Sequence, residues 1–332
     1  MQPPNHPVIP SPKVGVLLIN LGTPDAPDAK AVRRYLAEFL SDRRVIEIPA
    51  IAWKPILHGI ILRTRPKKSA HAYAQVWSEE GSPLAAITRR QAVALQARLG
   101  DSLIVDFAMR YGNPGIAAAL DGLIGQGCTR ILAAALYPQY SGATTASAND
   151  AIFAGVAARR WQPALRTLPP YYDDPLYLDA LVGDLERQIG ALDFAPDRLL
   201  LSFHGMPERT LRLGDPYHCH CQKTARLVGE RLAVPTEISF QSRFGRAKWL
   251  GPATDTVLTA MPGRGVKKLA IAAPGFSVDC LETIEELGIR GRESFIAAGG
   301  THFARLDCLN DGAAGMEMLE ALVRRELGGW WP

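Results

Sequence analysis

The sequence has 332 residues, enough for about two domains of ordinary size, with 47% hydrophobic and 21% charged residues, as expected of a globular protein with a sizeable core. Its net charge of +4, without dense Lys/Arg blocks, argues against a nucleic-acid-binding stripe and suits a small anionic substrate or a membrane surface. Five cysteines (Cys128, Cys219, Cys221, Cys280 and Cys308) are too few, and odd in number, for a disulfide framework, so a reducing, cytoplasmic setting is expected.

Residues 1–12 are Pro-rich and polar, with no apolar stretch of the kind a signal peptide needs. A first strand is expected over residues 14–20, followed by a helix over 28–40. The apolar stretch 48–62 is interrupted by Lys54, Pro55 and His58 and is too short to span a bilayer. It reads either as an ordinary core helix or as a lip that receives an apolar ligand from a membrane or partner. A helix over 89–99, a strand over 103–110, a helix over 116–125, a strand over 130–137 and a helix over 144–159 follow. Beyond the Pro/Tyr-rich stretch 168–175, helices are expected over 176–189, 224–232 and 311–327, and strands over 198–204, 237–241, 268–274 and 302–306. The strands are mostly continuous apolar runs, the signature of strands buried on both faces of a parallel sheet. Strand–helix alternation repeated twice predicts an α/β protein of two doubly wound, Rossmann-like domains, with a boundary near 172.

In such sheets ligands bind beyond the carboxyl ends of the strands. At one such end, Leu201-Ser202-Phe203-His204-Gly205-Met206-Pro207 runs an apolar strand into a histidine. His204 either shapes the turn or serves as a base or metal ligand. At another, Pro274-Gly275-Phe276-Ser277-Val278-Asp279-Cys280-Leu281-Glu282 opens a helix. On an ideal helix Asp279, Glu282 and Glu286 share an arc of roughly 60°, with Leu281, Ile284 and Leu287 opposite. That stripe is either a solvated face or a ladder of hard oxygen ligands for a passing divalent cation. Residues 136–147, containing Tyr140, Thr144 and Thr145, offer hydroxyls at a third strand end. Arg110-Tyr111 places a forked cation and an aromatic at a fourth, and Trp249 offers an indole for a flat ligand. Tyr217-His218-Cys219-His220-Cys221 invites a metal reading, but its spacing is not that of a zinc finger, and a local loop is expected. G-x-G-x-x-G after a strand, the Walker A loop, H-E-x-x-H and G-x-S-x-G are all missing, which argues against dehydrogenases, kinases, zinc peptidases and α/β-hydrolases.

Together these segments resemble the ferrochelatase family, in its bacterial and specifically proteobacterial branch. The likeness runs from Val14 to the last helix. It is carried in order by Asn20-Leu21-Gly22-Thr23-Pro24, the Tyr35–Asp42 segment, Arg110-Tyr111, the 137–147 loop, Ser202-Phe203-His204, Gly214-Asp215-Pro216-Tyr217, Trp249-Leu250-Gly251-Pro252 and Glu282-Thr283. The resemblance implies a class I chelatase-like architecture: two Rossmann-like domains (1–172 and 173–310) enclosing a porphyrin cleft, and a C-terminal helix (311–332) returning to the first domain. It implies insertion of Fe2+ into protoporphyrin IX, with coproporphyrin III, another tetrapyrrole chelatase reaction and a non-catalytic tetrapyrrole carrier as alternatives. His204 and Glu282 match the family's catalytic pair. Leu21, Arg110, Tyr111, Tyr140 and Trp249 match substrate-lining positions, and Asp279 and Glu286 join His204 and Glu282 as candidate metal contacts along a π-widened helix. Residues Trp53 to Leu62 match the lip, a contact for a membrane or an upstream enzyme. Where many relatives have a histidine beside the helix aspartate, this sequence has Cys280. Some relatives hold an iron–sulfur cluster through C-terminal cysteines; this sequence ends Trp330-Trp331-Pro332, so no cluster and no tightly bound cofactor are expected, with iron a substrate.

Overall fold

The computed structural model describes residues 13–331 except 244 and 246; the segment 1–12, read above as lacking a signal peptide, lies outside them. Among the described residues eight strands form two sheets. The first contains β1 (Lys13–Thr23), β2 (Leu103–Gly112), β3 (Cys128–Ala135) and β4 (Ala164–Thr167), in the order β2-β1-β3-β4. The second contains β5 (Arg198–His204), β6 (Thr236–Gln241), β7 (Lys268–Ala272) and β8 (His302–Arg305), in the order β6-β5-β7-β8. Every pairing is parallel, and the two orders are the same when each half is counted from its own first strand.

The twelve α-helices among the described residues are α1 (Ala29–Phe39), α2 (Ala50–Ile56), α3 (Leu62–Val76), α4 (Pro83–Leu99), α5 (Ile116–Gly125), α6 (Ser147–Ala157), α7 (Pro175–Gly190), α8 (Glu208–Arg212), α9 (Tyr217–Gly229), α10 (Thr254–Ala260), α11 (Arg292–Ala297) and α12 (Ala313–Glu326). Three π-helical segments join them: π1 (Leu57–Ile61), π2 (Gly142–Ala146) and π3 (Glu282–Gly291). The structure departs from the sequence expectations at several elements. α4 begins six residues early, because Ser82 caps it and Pro83 occupies its first turn. α9 begins at Tyr217, so the His/Cys cluster is helical rather than a loop. The short edge strand β4 and helices α3, α8, α10 and α11 were not foreseen.

The continuous apolar strands are explained by covering on both faces. Val16 and Leu18 of β1 pack with Leu95 and Leu99 of α4, whereas Leu17 and Ile19 pack with Leu120 and Ile152 of α5 and α6. The first of these clusters continues through α7 (Tyr177, Leu178, Leu181) and α12 (Leu319, Leu322, Val323) to Leu201 and Phe203 of the second sheet. One core therefore joins the two halves. α12 packs between α4 and α7 and is tied to the first half by Arg98–Glu320 at 3.1 Å and by the Trp331 indole N–H on Ser102 Oγ at 2.7 Å. Among the described residues no helix is long and apolar enough to cross a membrane.

Candidate active site

The site grows from the carboxyl ends of the strands. β5 runs Leu199-Leu200-Leu201-Ser202-Phe203, buried throughout, into half-buried His204. His204 Nδ1 lies 2.7 Å from the carbonyl oxygen of Gly205. A carbonyl only accepts, so Nδ1 carries the proton and the neutral ring keeps its basic lone pair on Nε2. Gly205 is required beside it: a Cβ there would stand 2.6 Å from Gln241 O and 3.3 Å from the Trp249 ring. That close approach puts the Trp249 indole against Gly205, the residue that follows the histidine.

In the ladder His204 is opposite Gln241, the last residue of β6. Gln241 is buried; its side-chain oxygen accepts from Ser202 Oγ at 2.8 Å, and its amide reaches the Glu282 carbonyl at 3.4 Å. His204 and Glu282, the first residue of π3, are thereby brought to the same end of the second sheet. The approach to π3 crosses to the first half: Val278 and Cys280 pack on Leu84, Ile87 and Met109, and Leu281 joins the cluster of Leu21, Tyr35, Tyr73 and Tyr111. Burial pushes the hydroxyls of Tyr35 and Tyr73 well above the ordinary tyrosine value, and the Glu282 charge adds to both shifts. The Glu282 carboxylate therefore faces the helices of the first half.

The ideal-helix stripe does not survive in the form the spacing suggested, because the helix is π-widened from Glu282 onward and its side chains step differently around the axis. Asp279 precedes π3 and is 4% exposed. Its Oδ1 accepts from Arg305 Nη1 and Thr283 Oγ1, both at 2.7 Å, and its Oδ2 from Asn310 Nδ2 at 2.7 Å and the Cys308 amide at 3.3 Å. All its lone-pair directions are taken by the protein. Glu286 accepts from the Ser242 amide at 2.9 Å and Ser242 Oγ at 2.5 Å; Ser242 adopts a left-handed backbone with φ +65° to do so. Among the described residues no three His, Cys, Asp or Glu side chains gather as a metal-binding group, so His204, Glu282, Asp279 and Glu286 are not a preassembled coordination sphere.

The substrate-lining candidates divide. Leu21 and Tyr140 are half-buried at the ends of β1 and of the loop after β3. Arg110 Nη2 donates to Asp42 at 2.5 Å, and its Nε donates to Ser147 Oγ at 2.7 Å. Tyr111 has no exposed surface; its hydroxyl donates to Asp42 at 2.8 Å. It holds Asp42 by this bond and carries the Arg110 guanidinium over its ring, 4.5 Å from the centroid. Sequence reasoning missed Asp42 and Ser147 as the partners that organise this corner, although both lie in the segments that carried the family resemblance.

In the lip, Trp53 turns inward, its indole N–H donating to the Leu40 carbonyl at 2.7 Å, while Leu57 and Leu62 are buried with it. Ile51 and Ile60 point out, 88% and 57% exposed.

The two-sheet, all-parallel α/β architecture, with a histidine and a glutamate at the same end of the second sheet, is a fold shared with chelatases. Over 95% of its length the chain superposes on 95% of SirB from Bacillus subtilis with Fe3+ (TM-score 0.57, 11% identity), and over 96% on 96% of the cobalt complex of the sirohydrochlorin chelatase SirB from Bacillus subtilis subspecies spizizenii (TM-score 0.56, 10% identity). At that identity the likeness is one of fold. The ferrochelatase family model matches residues 13–327. The chain is 50% identical to the ferrochelatase of Rhizobium meliloti (strain 1021) over 98% of both chains, and 49% identical to that of Agrobacterium fabrum (strain C58 / ATCC 33970) over 99% of this chain and 97% of that one. The chain belongs to the ferrochelatase family, and it is an enzyme of that family.

Proposed function

We propose that this chain inserts Fe2+ into protoporphyrin IX, giving protoheme and releasing two protons, the last step of heme biosynthesis. The observation that carries the reading is the pinned tautomer of His204, which leaves Nε2 as a base at the strand end facing the cleft. A free porphyrin holds two inner N–H protons that must leave as the metal enters. Nε2 of His204 accepts one, and the half-buried carboxylate of Glu282 accepts or relays the other. Leu21, Tyr140 and Trp249 supply flat and apolar surface, and peripheral binding energy bends the ring so that its nitrogen lone pairs leave the plane. Glu286, held on the exit side of π3 by Ser242, serves as a way-station for the incoming cation. Asp279 serves as an anchor and not as a ligand.

Arg110, the cation among the expected substrate contacts, already neutralises Asp42. That suits protoporphyrin IX, with fewer propionates, better than coproporphyrin III. Anaerobic turnover with Fe2+ and each porphyrin, followed as loss of free-porphyrin fluorescence, tests the reading. A higher kcat/KM with protoporphyrin IX is expected; preference for coproporphyrin III, or no turnover with either, overturns it. A tightly bound prosthetic group is not part of this reading, in which iron is a substrate; Cys128, Cys221, Cys280 and Cys308 are buried and Cys219 is exposed.

The lip also docks on an anionic phospholipid surface. Ile51 and Ile60 are exposed on a helix whose flanks carry exposed Lys54, Arg63, Lys67 and Lys68. Apolar side chains ringed by cations are the composition that favours the interface of such a membrane.

A further inference from the structure

Among the described residues the His/Cys run at the start of α9 does not gather as a metal-binding group: Cys219 and Cys221 project about 200° apart on the helix, one exposed and one buried. What the run does touch is the loop that follows β3. Asp215 Oδ2 accepts from the Gly142 amide at 2.7 Å and from Ser141 Oγ at 3.2 Å, while its Oδ1 accepts from the Tyr217 amide at 3.0 Å and so caps α9. His220 Nδ1 accepts from the Tyr140 amide at 3.2 Å. The ring lies flat on Tyr172 of the inter-half connection, 3.6 Å between centroids with an 8° interplanar angle. One turn on, Thr224 Oγ1 accepts from Gln139 Nε2 at 3.1 Å and donates to the Tyr172 carbonyl at 2.7 Å. Two side chains one turn apart on α9 and the aspartate that leads into it thus grip residues 139–142 of the first half.

We infer that Asp215 and His220 are positioning residues that set Tyr140 and π2 against the porphyrin, acting across the boundary between the two halves. The inference rests on the reading that the Tyr140 loop lines the substrate cleft. Two backbone N–H groups of that loop, those of Tyr140 and Gly142, have side chains of the second half as their acceptors, His220 of α9 and Asp215 just before it, so the second half helps to fix the loop's position. The two halves therefore set the width of the cleft through this clasp.

The grip at His220 requires an unprotonated Nδ1, since an imidazolium has no lone pair to accept with. The charged groups facing the ring are Asp173 and Asp215, which favour the imidazolium, and Lys223, which opposes it; burial outweighs the carboxylates and holds the ring below the ordinary histidine value. The clasp is closed at neutral pH and opens as the pH falls through that lowered value.

The test uses the full-length enzyme with Zn2+ or Fe2+ and protoporphyrin IX. His220→Ala is expected to raise the porphyrin KM roughly fivefold or more, the equivalent of one lost hydrogen bond, with the metal KM and kcat nearly unchanged. Asp215→Asn, which keeps the shape but turns an NH2 toward a donor, moves the same parameter. His220→Asn, which restores an acceptor that does not titrate, recovers the porphyrin KM and removes the acid rise in KM that the wild type shows. Amide exchange at Tyr140 and Gly142 accelerates in His220→Ala and Asp215→Asn respectively. An inactive wild-type enzyme would overturn the substrate reading and this inference with it. An active wild type whose folded variants keep their porphyrin KM, or lose kcat for metal and porphyrin alike in proportion to folded protein, overturns the inference alone.

Discussion

Asp279→Ala should unfold the protein more readily without first touching metal use. The carboxylate is almost fully buried and accepts from Arg305, Thr283, Asn310 and the Cys308 amide, tying the entry of π3 to β8 and to the loop that leads into α12. Removing it strands the Arg305 guanidinium, whose side chain is 21% exposed and whose other carboxylate partner, Asp307, is largely exposed. Breaking a buried pair from one side costs about 3–5 kcal/mol. At roughly 2–4 °C per kcal/mol for domains of this size, the melting temperature should fall on the order of 10 °C. Thermal melts followed by circular dichroism measure it. A paired change, Asp279→Leu with Arg305→Met, should recover most of the loss, because the uncompensated charge rather than the missing contact carries the cost. A single variant that melts within about 1 °C of wild type, or one that raises the metal KM with an unchanged melt, would refute the anchoring role and return Asp279 to the metal path.

His204→Ala should lose about 10²–10⁴-fold in turnover, the usual cost of a positioned base, while its melting curve stays native; near-normal turnover by the folded variant would remove it from the chemistry. Glu286→Gln should raise the metal KM with little change in porphyrin KM, read from a metal titration at saturating porphyrin. Burial pushes the Asp42 carboxyl up, but the bonds from Ser147, the Arg44 amide and Tyr111 and the charge of Arg110 overcome it and hold it below the ordinary aspartate value. Its contribution is therefore complete above the unfolded value and is lost as the pH falls toward the folded one; Asp42→Asn should be less stable at neutral pH by about 1–3 kcal/mol and should narrow that gap in acid, as urea denaturation at several pH values will show. Ile51→Glu should weaken co-sedimentation with phosphatidylglycerol vesicles without changing turnover in detergent; equal binding by the variant would count against the lip as the docking face.

The halves of the fold were readable because both-face burial writes itself as long apolar runs, as in 14–20 and 198–204, and because Gly and Pro after His204 stop the strand where the chemistry sits. β4 was not readable, since Ala164–Thr167 is a short edge segment with no apolar run. The start of α9 was hidden by Gly214-Asp215-Pro216, turn residues that here cap a helix. The acidic stripe shows the limit of periodicity. Spacing assumed an ideal helix, whereas the segment widens from Glu282, and the fate of Asp279 depends on Arg305, 26 residues away, which no local pattern reveals. Likewise Arg110 and Tyr111 were legible as functional residue types, but their commitment to Asp42 is a long-range fact.

The matching strand orders carry a consequence for how the chemistry is shared out. Leu21 near the end of β1 corresponds to His204 at the end of β5, and Arg110-Tyr111 of β2 to Gln241-Ser242 around the end of β6. The third strand of each half leads, through a loop, into a π-helix. A single ancestral plan, doubled, would offer a flat ring two identical walls. The two halves differ at that point: one opens its π-segment with Gly142 and hydroxyls, the other with Glu282 and a histidine alongside. On the function proposed above, a ring lying between them would meet one inert face and one reactive face, and the two sides of a nearly symmetric molecule would be told apart by two halves that are themselves unlike.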